Sequence, residues 1–177
     1  LGKKLNHESD FVYLPQGTEV YITHGAEDYF EPAIQVLHND GNPSLLLKYV
    51  EHSSSRQNDG SVETVITLKD DKYPVTVKLH YITYAAENII KTFTEINHQE
   101  KKPIVLSKYA SSMLHFNRDK YFLTEFSGDW AHEVNIAERE LAFGKKTIDT
   151  KLGARANMFV SPFFQLSLGA PSEENSG

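Results

Sequence analysis

Val62-Glu-Thr-Val-Ile-Thr-Leu68, Asp70-Asp-Lys-Tyr-Pro74 and Val75-Thr-Val-Lys-Leu-His-Tyr81 follow one another near the middle of the chain. In the first run Val62, Thr64, Ile66 and Leu68 share one face, and in the last Val75, Val77, Leu79 and Tyr81 do the same. Every second side chain of an extended backbone points the same way, so this alternation predicts two half-buried strands. The residues between them include two Asp and a Pro, whose missing N–H is tolerated near a strand start. The segment therefore predicts a β-hairpin.

Runs rich in Val, Ile, Thr, Tyr and Phe continue outward in both directions. Strands are expected at 33–37, 45–51, 89–97, 104–113, 121–127, 134–141 and 158–168, about ten in all with the hairpin. Asn39-Asp-Gly41 and Asn58-Asp-Gly60 supply turns with the Gly that a positive φ requires, and Asn117-Arg-Asp-Lys120 supplies another. Ser53-Ser-Ser-Arg-Gln-Asn58 reads as a loop tip. Ala137-Glu-Arg-Glu-Leu-Ala142 contains helix formers but is assigned to a strand, because no window carries a helical apolar period. The fold class that follows is all-β, a large antiparallel two-sheet sandwich.

With 177 residues and 40% apolar content, the chain is long enough for one well-buried core, and a single domain is expected. Net charge is -6 and no basic stripe is interleaved with aromatics, so nucleic acid is not an expected partner. No apolar run approaches the length that spans a bilayer, so the expectation is a soluble protein with no membrane partner. Cysteine is absent, which removes thiolate chemistry and Cys-ligated metals and leaves the compartment open between cytoplasm and periplasm. The start, Leu1-Gly-Lys-Lys-Leu5, has no apolar targeting region, and Gly169 to Gly177 reads as a turn with no returning strand. Both ends suggest a piece of a larger protein.

His132-Glu133 opens like a zinc-protease motif, but Ile136 stands where the second His is needed. Gly144-Lys145 resembles the end of a phosphate-binding loop, yet Arg139 occupies the first glycine position and Lys146 the hydroxyl position. The eight His residues are scattered singly and read as surface or hydrogen-bonded groups, with no metal site and no cofactor expected. Glu138 and Glu140 share a strand face, an arrangement more typical of solvated acids than of catalysis. Trp130, the only Trp, is read chiefly as a core plug, with stacking on a sugar face as the alternative.

Four pieces in order carry a family resemblance. They are Asp28-Tyr-Phe-Glu-Pro32-Ala33, Gly128-Asp-Trp130-Ala-His-Glu133, Gly153-Ala-Arg155, and the Pro162-Phe163 pair opening a strand. This arrangement resembles the N-terminal β-sandwich domain of family 36 glycoside hydrolases, which include many α-galactosidases. The resemblance implies a supersandwich-like accessory domain of a retaining enzyme that removes terminal α-galactose. The catalytic aspartates would lie on a separate (β/α)₈ barrel, leaving no catalytic residue in this chain. It makes Trp130, Glu133, Gly153, Arg155 and Pro162 framework residues, with Glu133 a candidate partner for Arg155.

The same resemblance places Asp28 and Tyr29 on a loop reaching a neighbouring subunit's pocket, where an acidic side chain binds sugar hydroxyls. Glu27 replaces the pattern's Gly and Phe30 its Arg, so any guanidinium contact is missing. The plain reading of Asp28 is a turn cap in a solvent-facing loop. Implied partners are the protein's own barrel, neighbouring subunits of a homo-oligomer such as a tetramer, and α-galactoside oligosaccharides. An α-N-acetylgalactosaminide substrate is a variant of this reading. A different class, a free-standing carbohydrate-binding sandwich, would need an exposed aromatic platform. Asn42-Pro-Ser44 is an excluded glycosylation site and no other is present, which points weakly to a bacterial source.

Overall fold

The computed structural model describes residues 20–25, 31–116, 120–142, 144–149 and 159–169, and only the backbone of Glu133. These residues hold nine strands and no helix. The chain divides into two compact units, Leu1–His115 and Phe116–Gly177.

In the first unit, β1 (Ile34–Leu37) pairs antiparallel with β6 (Val105–Tyr109). β2 (Leu47–Arg56), β3 (Val62–Asp70), β4 (Val75–Tyr84) and β5 (Ile89–His98) form a four-stranded antiparallel sheet in chain order. The expected hairpin is β3–β4, with Ile66 opposite Leu79 and Leu68 opposite Val77. Val75, Val77 and Leu79 are buried on one face and pack with Ile34 and Val36 of β1, so the two sheets share one apolar layer. Tyr21, Ala33 and Leu45 complete this layer, with Ile66, Leu68, Tyr81 and Ile96 packed against it. Each fully buried aliphatic side chain contributes about 1.5–3 kcal/mol relative to exposure.

Turn chemistry fixes the connections. Gly41 and Gly60 adopt φ of 87° and 86°, as the two Asn-Asp-Gly turns require. Asp70, at the end of β3, accepts hydrogen bonds from the backbone N–H groups of Lys72 (2.6 Å), Tyr73 (2.9 Å) and Leu46 (2.7 Å). It thereby closes the hairpin loop and fastens the chain entering β2 to it.

The second unit contains a three-stranded antiparallel sheet in the order β8-β7-β9, formed by β7 (Phe122–Asp129), β8 (His132–Glu140) and β9 (Val160–Ser167). β7 and β8 join through Trp130 and Ala131, with Asp129 opposite His132 and Ala131 at φ 64°. Pro162 lies in β9, an edge strand of this sheet, where the register with β7 shifts. Both circumstances suit a residue that cannot donate to a ladder.

Two expectations are corrected. Ser53–Arg56 is not a loop tip: it lies within β2, paired opposite Val65, Thr64, Glu63 and Val62. The neighbouring strand supplies a complete ladder, and Ser54 Oγ lies 2.9 Å from Thr64 Oγ1, so pairing overrides weak local propensity. Trp130 does not plug the core of this chain: it is 92% exposed, because a two-residue hairpin turn carries its side chain off the end of the sheet. The strand expected over 134–141 is β8, which starts two residues earlier and ends at Glu140. Asn117 to Asp119 and the segment after Gly169 lie outside the described residues.

The shared layer yields a direct expectation. Ile34→Ala should lower unfolding free energy by about 2–5 kcal/mol, since its side chain is fully buried between the sheets. Urea unfolding followed by far-ultraviolet circular dichroism checks this, and an unchanged midpoint would contradict the packing described.

Candidate functional site

The loop expected to carry Asp28 and Tyr29 spans residues 26–30, outside the described residues, but both of its feet are defined. Thr23 bridges Ile34, the Ala33 N–H donates to the Ile22 carbonyl (2.7 Å), and the His24 N–H donates to the Ile34 carbonyl (3.1 Å). Ile22, Thr23, Ala33 and Ile34 are all buried. Tyr21 anchors the incoming chain by donating from its hydroxyl to the Ala110 carbonyl at 2.9 Å. Burial pushes that phenol up in pKa. Gly25, at φ 92°, presses on the next segment: a Cβ there would come 2.8 Å from the Cα of Ser44. Only glycine gives both that conformation and that clearance. The segments on either side are thus held at the apolar core.

Beside the first foot lies a cleft of about 270 Å³ lined by Gly25, Asn42, Ser44, Leu46, Lys48, Asp70, Asp71, Lys72 and Tyr73. A shallower one of about 380 Å³ lies against Asn39, Tyr73, Pro74, Gln99, Glu100, Lys101 and Lys102. Tyr73 belongs to both. Lys48 pairs with Asp71 at the first, and Lys108 pairs with Glu31, two residues before Ala33.

A polar node supports Tyr73. The buried His38 ring stacks on it with centroids 3.5 Å apart and planes 9° from parallel. His38 Nε2 donates to the Ser44 carbonyl at 3.0 Å, and Nδ1 lies 2.6 Å from the Glu100 carboxylate. Glu100 also accepts the Asn39 N–H at 3.1 Å. The Tyr73 hydroxyl donates to Asp40 and accepts from Asn42, both at 2.8 Å. Burial opposes ionisation of Glu100, but hydrogen bonds from His38 and Asn39 outweigh it and hold the carboxyl below its ordinary range. Asp70 behaves alike: desolvation pushes upward, and the three backbone N–H donors bring the net shift downward.

The remaining sequence-selected residues are not brought together by the described structure. Trp130 stands at the β7–β8 tip, Pro162 is exposed on β9, and Glu133 contributes backbone to β8. Gly153 and Arg155 lie outside the described residues, as does the Glu133 side chain, so a Glu133–Arg155 pair is not described. Glu138 and Glu140 are exposed on β8, with Glu140 3.9 Å from Lys120. Among the described residues no group of three His, Asp or Glu is placed to hold a metal, and no helix is long and apolar enough to cross a membrane. The His38–Glu100–Tyr73 node went unread in the sequence. Its only local signal was a His beside an Asn-Asp-Gly turn.

The profile of the glycosyl hydrolase family 36 N-terminal domain matches residues 3–177. α-Galactosidase Mel36A of Lactobacillus acidophilus is 21% identical over 160 residues, covering 82% of this chain and 22% of its own length. The solved α-galactosidase of Lactobacillus brevis superposes with a TM-score of 0.83 at 21% identity, covering 94% of this chain and 24% of that one. A variant of the family 36 α-galactosidase AgaA from Geobacillus stearothermophilus, solved with stachyose, gives 0.81 at 20% identity, covering 97% and 29%. The chain spans less than a quarter of the length of the curated relatives it matches. These likenesses agree with the all-β sandwich expected from the hairpin outward.

The node makes a pH-dependent expectation. The Glu100 carboxyl titrates lower folded than unfolded, so its stabilisation is present above the unfolded value of about 4.5 and is lost as pH falls through the lowered one. Glu100→Gln should therefore cost about 1.5–3 kcal/mol at pH 7. The difference from the parent chain should shrink as the solution is acidified toward pH 3. Urea titrations across that range measure it, and a difference independent of pH would contradict the assignment.

Proposed function

The chain belongs to the glycosyl hydrolase family 36 N-terminal domain family, and from that premise we propose that it is the accessory domain of a retaining α-galactosidase acting on terminal α-galactosides. The observation that carries this reading is the family match across residues 3–177, in company with solved α-galactosidases of the same fold. In this reading the catalytic aspartates lie on a barrel outside residues 1–177. One attacks the anomeric carbon while the other protonates the leaving oxygen and later deprotonates water, the two carboxyls standing about 5–5.5 Å apart.

The domain's own contribution is positional. A loop serves a substrate only if its base is rigid, because small misplacements of a binding group are costly. The buried feet at Ile22–Thr23 and Ala33–Ile34, together with Gly25 packed on Ser44, support a loop held at both ends. Asp28 would accept hydrogen bonds from sugar hydroxyls in a neighbouring subunit's pocket of a homo-oligomer, with Tyr29 beside it. Phe30 provides no guanidinium there, so recognition rests on the carboxylate.

Two measurements test this reading. The 177-residue chain should not hydrolyse an aryl α-galactoside, whereas the product of the full reading frame should, and turnover by the short chain would refute the accessory role. In the full-length enzyme Asp28→Ala should lower kcat/KM roughly 10–100-fold, the worth of one hydrogen bond to a charged group. Unchanged kinetics would return Asp28 to a solvent-facing turn.

A further inference from the structure

The chain contains two Asp-Gly pairs, Asp40-Gly41 and Asp59-Gly60, and no Asn-Gly. Both lie in turns of one pattern. In the first, the His38 N–H donates to the Asn42 carbonyl and the Gly41 N–H to the His38 carbonyl, both at 2.9 Å. In the second, the Gln57 N–H donates to the Ser61 carbonyl at 2.9 Å and the Gly60 N–H to the Gln57 carbonyl at 3.1 Å. The glycines hold φ of 87° and 86°, and each Asp Oδ1 accepts the N–H two residues on at 3.0 Å. Both pairs are exposed to water. Local chemistry is therefore the same at the two sites.

Their surroundings differ. The turn after β1 is clamped by distant residues: Asp40 Oδ2 accepts the Tyr73 hydroxyl at 2.8 Å, Asn42 donates to that hydroxyl, and Glu100 accepts the Asn39 N–H. Its first residue, His38, is buried against the Tyr73 ring, so opening this turn breaks the polar node. The β2–β3 turn has only sequence neighbours. Asp59 accepts the Ser61 N–H and, at 2.6 Å, the Ser61 hydroxyl, while the Gln57 side chain donates to Ser55 and Glu63. Local opening costs least at loop tips and approaches the global value in the core. The second turn is the more easily opened.

Opening matters because an Asp-Gly pair can cyclise. Glycine leaves its backbone nitrogen unhindered, and at Gly41 and Gly60 alike no heavy atom lies within 4 Å of where a Cβ would stand. In the closed turns each glycine N–H is bound to a carbonyl three residues back, so attack on the Asp carboxyl carbon requires that bond to break. Hydrogen bonds from the Asn42 N–H and the Ser61 hydroxyl hold the Asp40 and Asp59 carboxyls below their ordinary range, and so do not separate the two.

We propose that Asp59 is a site of spontaneous isoaspartate formation, and that the His38–Tyr73–Glu100 node shields Asp40 from the same reaction. The Gly60 nitrogen forms a bond to Asp59 Cγ and gives up its proton, and one carboxyl oxygen leaves as water, closing a succinimide. Water then adds to the main-chain carbonyl carbon of Asp59, the bond from that carbon to the Gly60 nitrogen breaks, and the nitrogen regains a proton. The chain now runs through Cγ, one carbon longer, with a carboxylate on the former main-chain carbon and no change in mass. That carboxylate is the group that S-adenosylmethionine-dependent isoaspartyl methyltransferases esterify, so the aged chain becomes a substrate of that class.

Incubation of the folded 177-residue chain at pH 7 and physiological temperature, with electron-transfer fragmentation of the peptides carrying each Asp, tests this. Isoaspartate should accumulate at residue 59 about tenfold or more faster than at residue 40. In the urea-unfolded chain the two rates should be alike, since the turns then have no fold around them. Tyr73→Phe, which removes the hydroxyl held by Asp40, should raise the rate at residue 40 and leave that at residue 59 unchanged. The folded-against-unfolded comparison decides the matter even where that variant fails to fold. Absence of isoaspartate at residue 59, or similar rates at the two sites of the folded chain, overturns the proposal. So does a difference that persists in urea, which assigns it to local sequence.

Discussion

Ile34 and Val36 meet Val75, Val77 and Leu79 in one dry layer, and the first unit depends on it. β1 is only four residues long, yet its two inward side chains are fully buried. A strand this short supplies little cross-strand pairing of its own; its hold comes from apolar area removed from water. That constraint propagates in both directions along the chain. Ala33, immediately before β1, is buried and hydrogen-bonded to Ile22, and His38, immediately after it, is the centre of the polar node. The same four residues therefore fix the position of both.

The node shows how a sandwich closes its polar end. A buried imidazole stabilises only when both nitrogens find partners, because an unsatisfied buried polar group costs about as much as the hydrogen bond it lacks. His38 finds them in the Ser44 carbonyl and Glu100, and the Tyr73 ring covers its face. Glu100 lies far along the chain, so the contact staples the segment after β5 to the turn after β1. Asp70 performs the matching task across the sheet, gathering three backbone donors from two loops. Apolar packing sets the spacing of the sheets, and these two carboxylates set the paths of the loops between them.

Alternation at Val75, Val77, Leu79 and Tyr81 made β4 legible, because a half-buried strand writes its period directly into the chain. Gly41 and Gly60 made two turns legible for an equally local reason. Ser53–Arg56 was illegible as strand because its pairing is written in the partner, β3, and not in its own side chains. Its polarity is what an edge strand uses against unwanted pairing. The His38–Glu100 contact was illegible because nothing local distinguishes a glutamate that folding brings to a histidine from one that stays in solvent. The Trp130 motif was legible as a family sign, and its exposure was not, since burial is a property of what surrounds a side chain.

The two units divide along this line. In the first, apolar side chains face one another across sheets that the chain itself supplies, and the buried polar groups of the node have partners within it. In the second, the three-stranded sheet buries Leu123, Thr124 and Ser167 near one end and leaves Ile136, Phe163 and Phe164 exposed nearer the Trp130 turn. Burial along the chain therefore follows which side chains other elements cover, and neither local sequence nor a family motif records that.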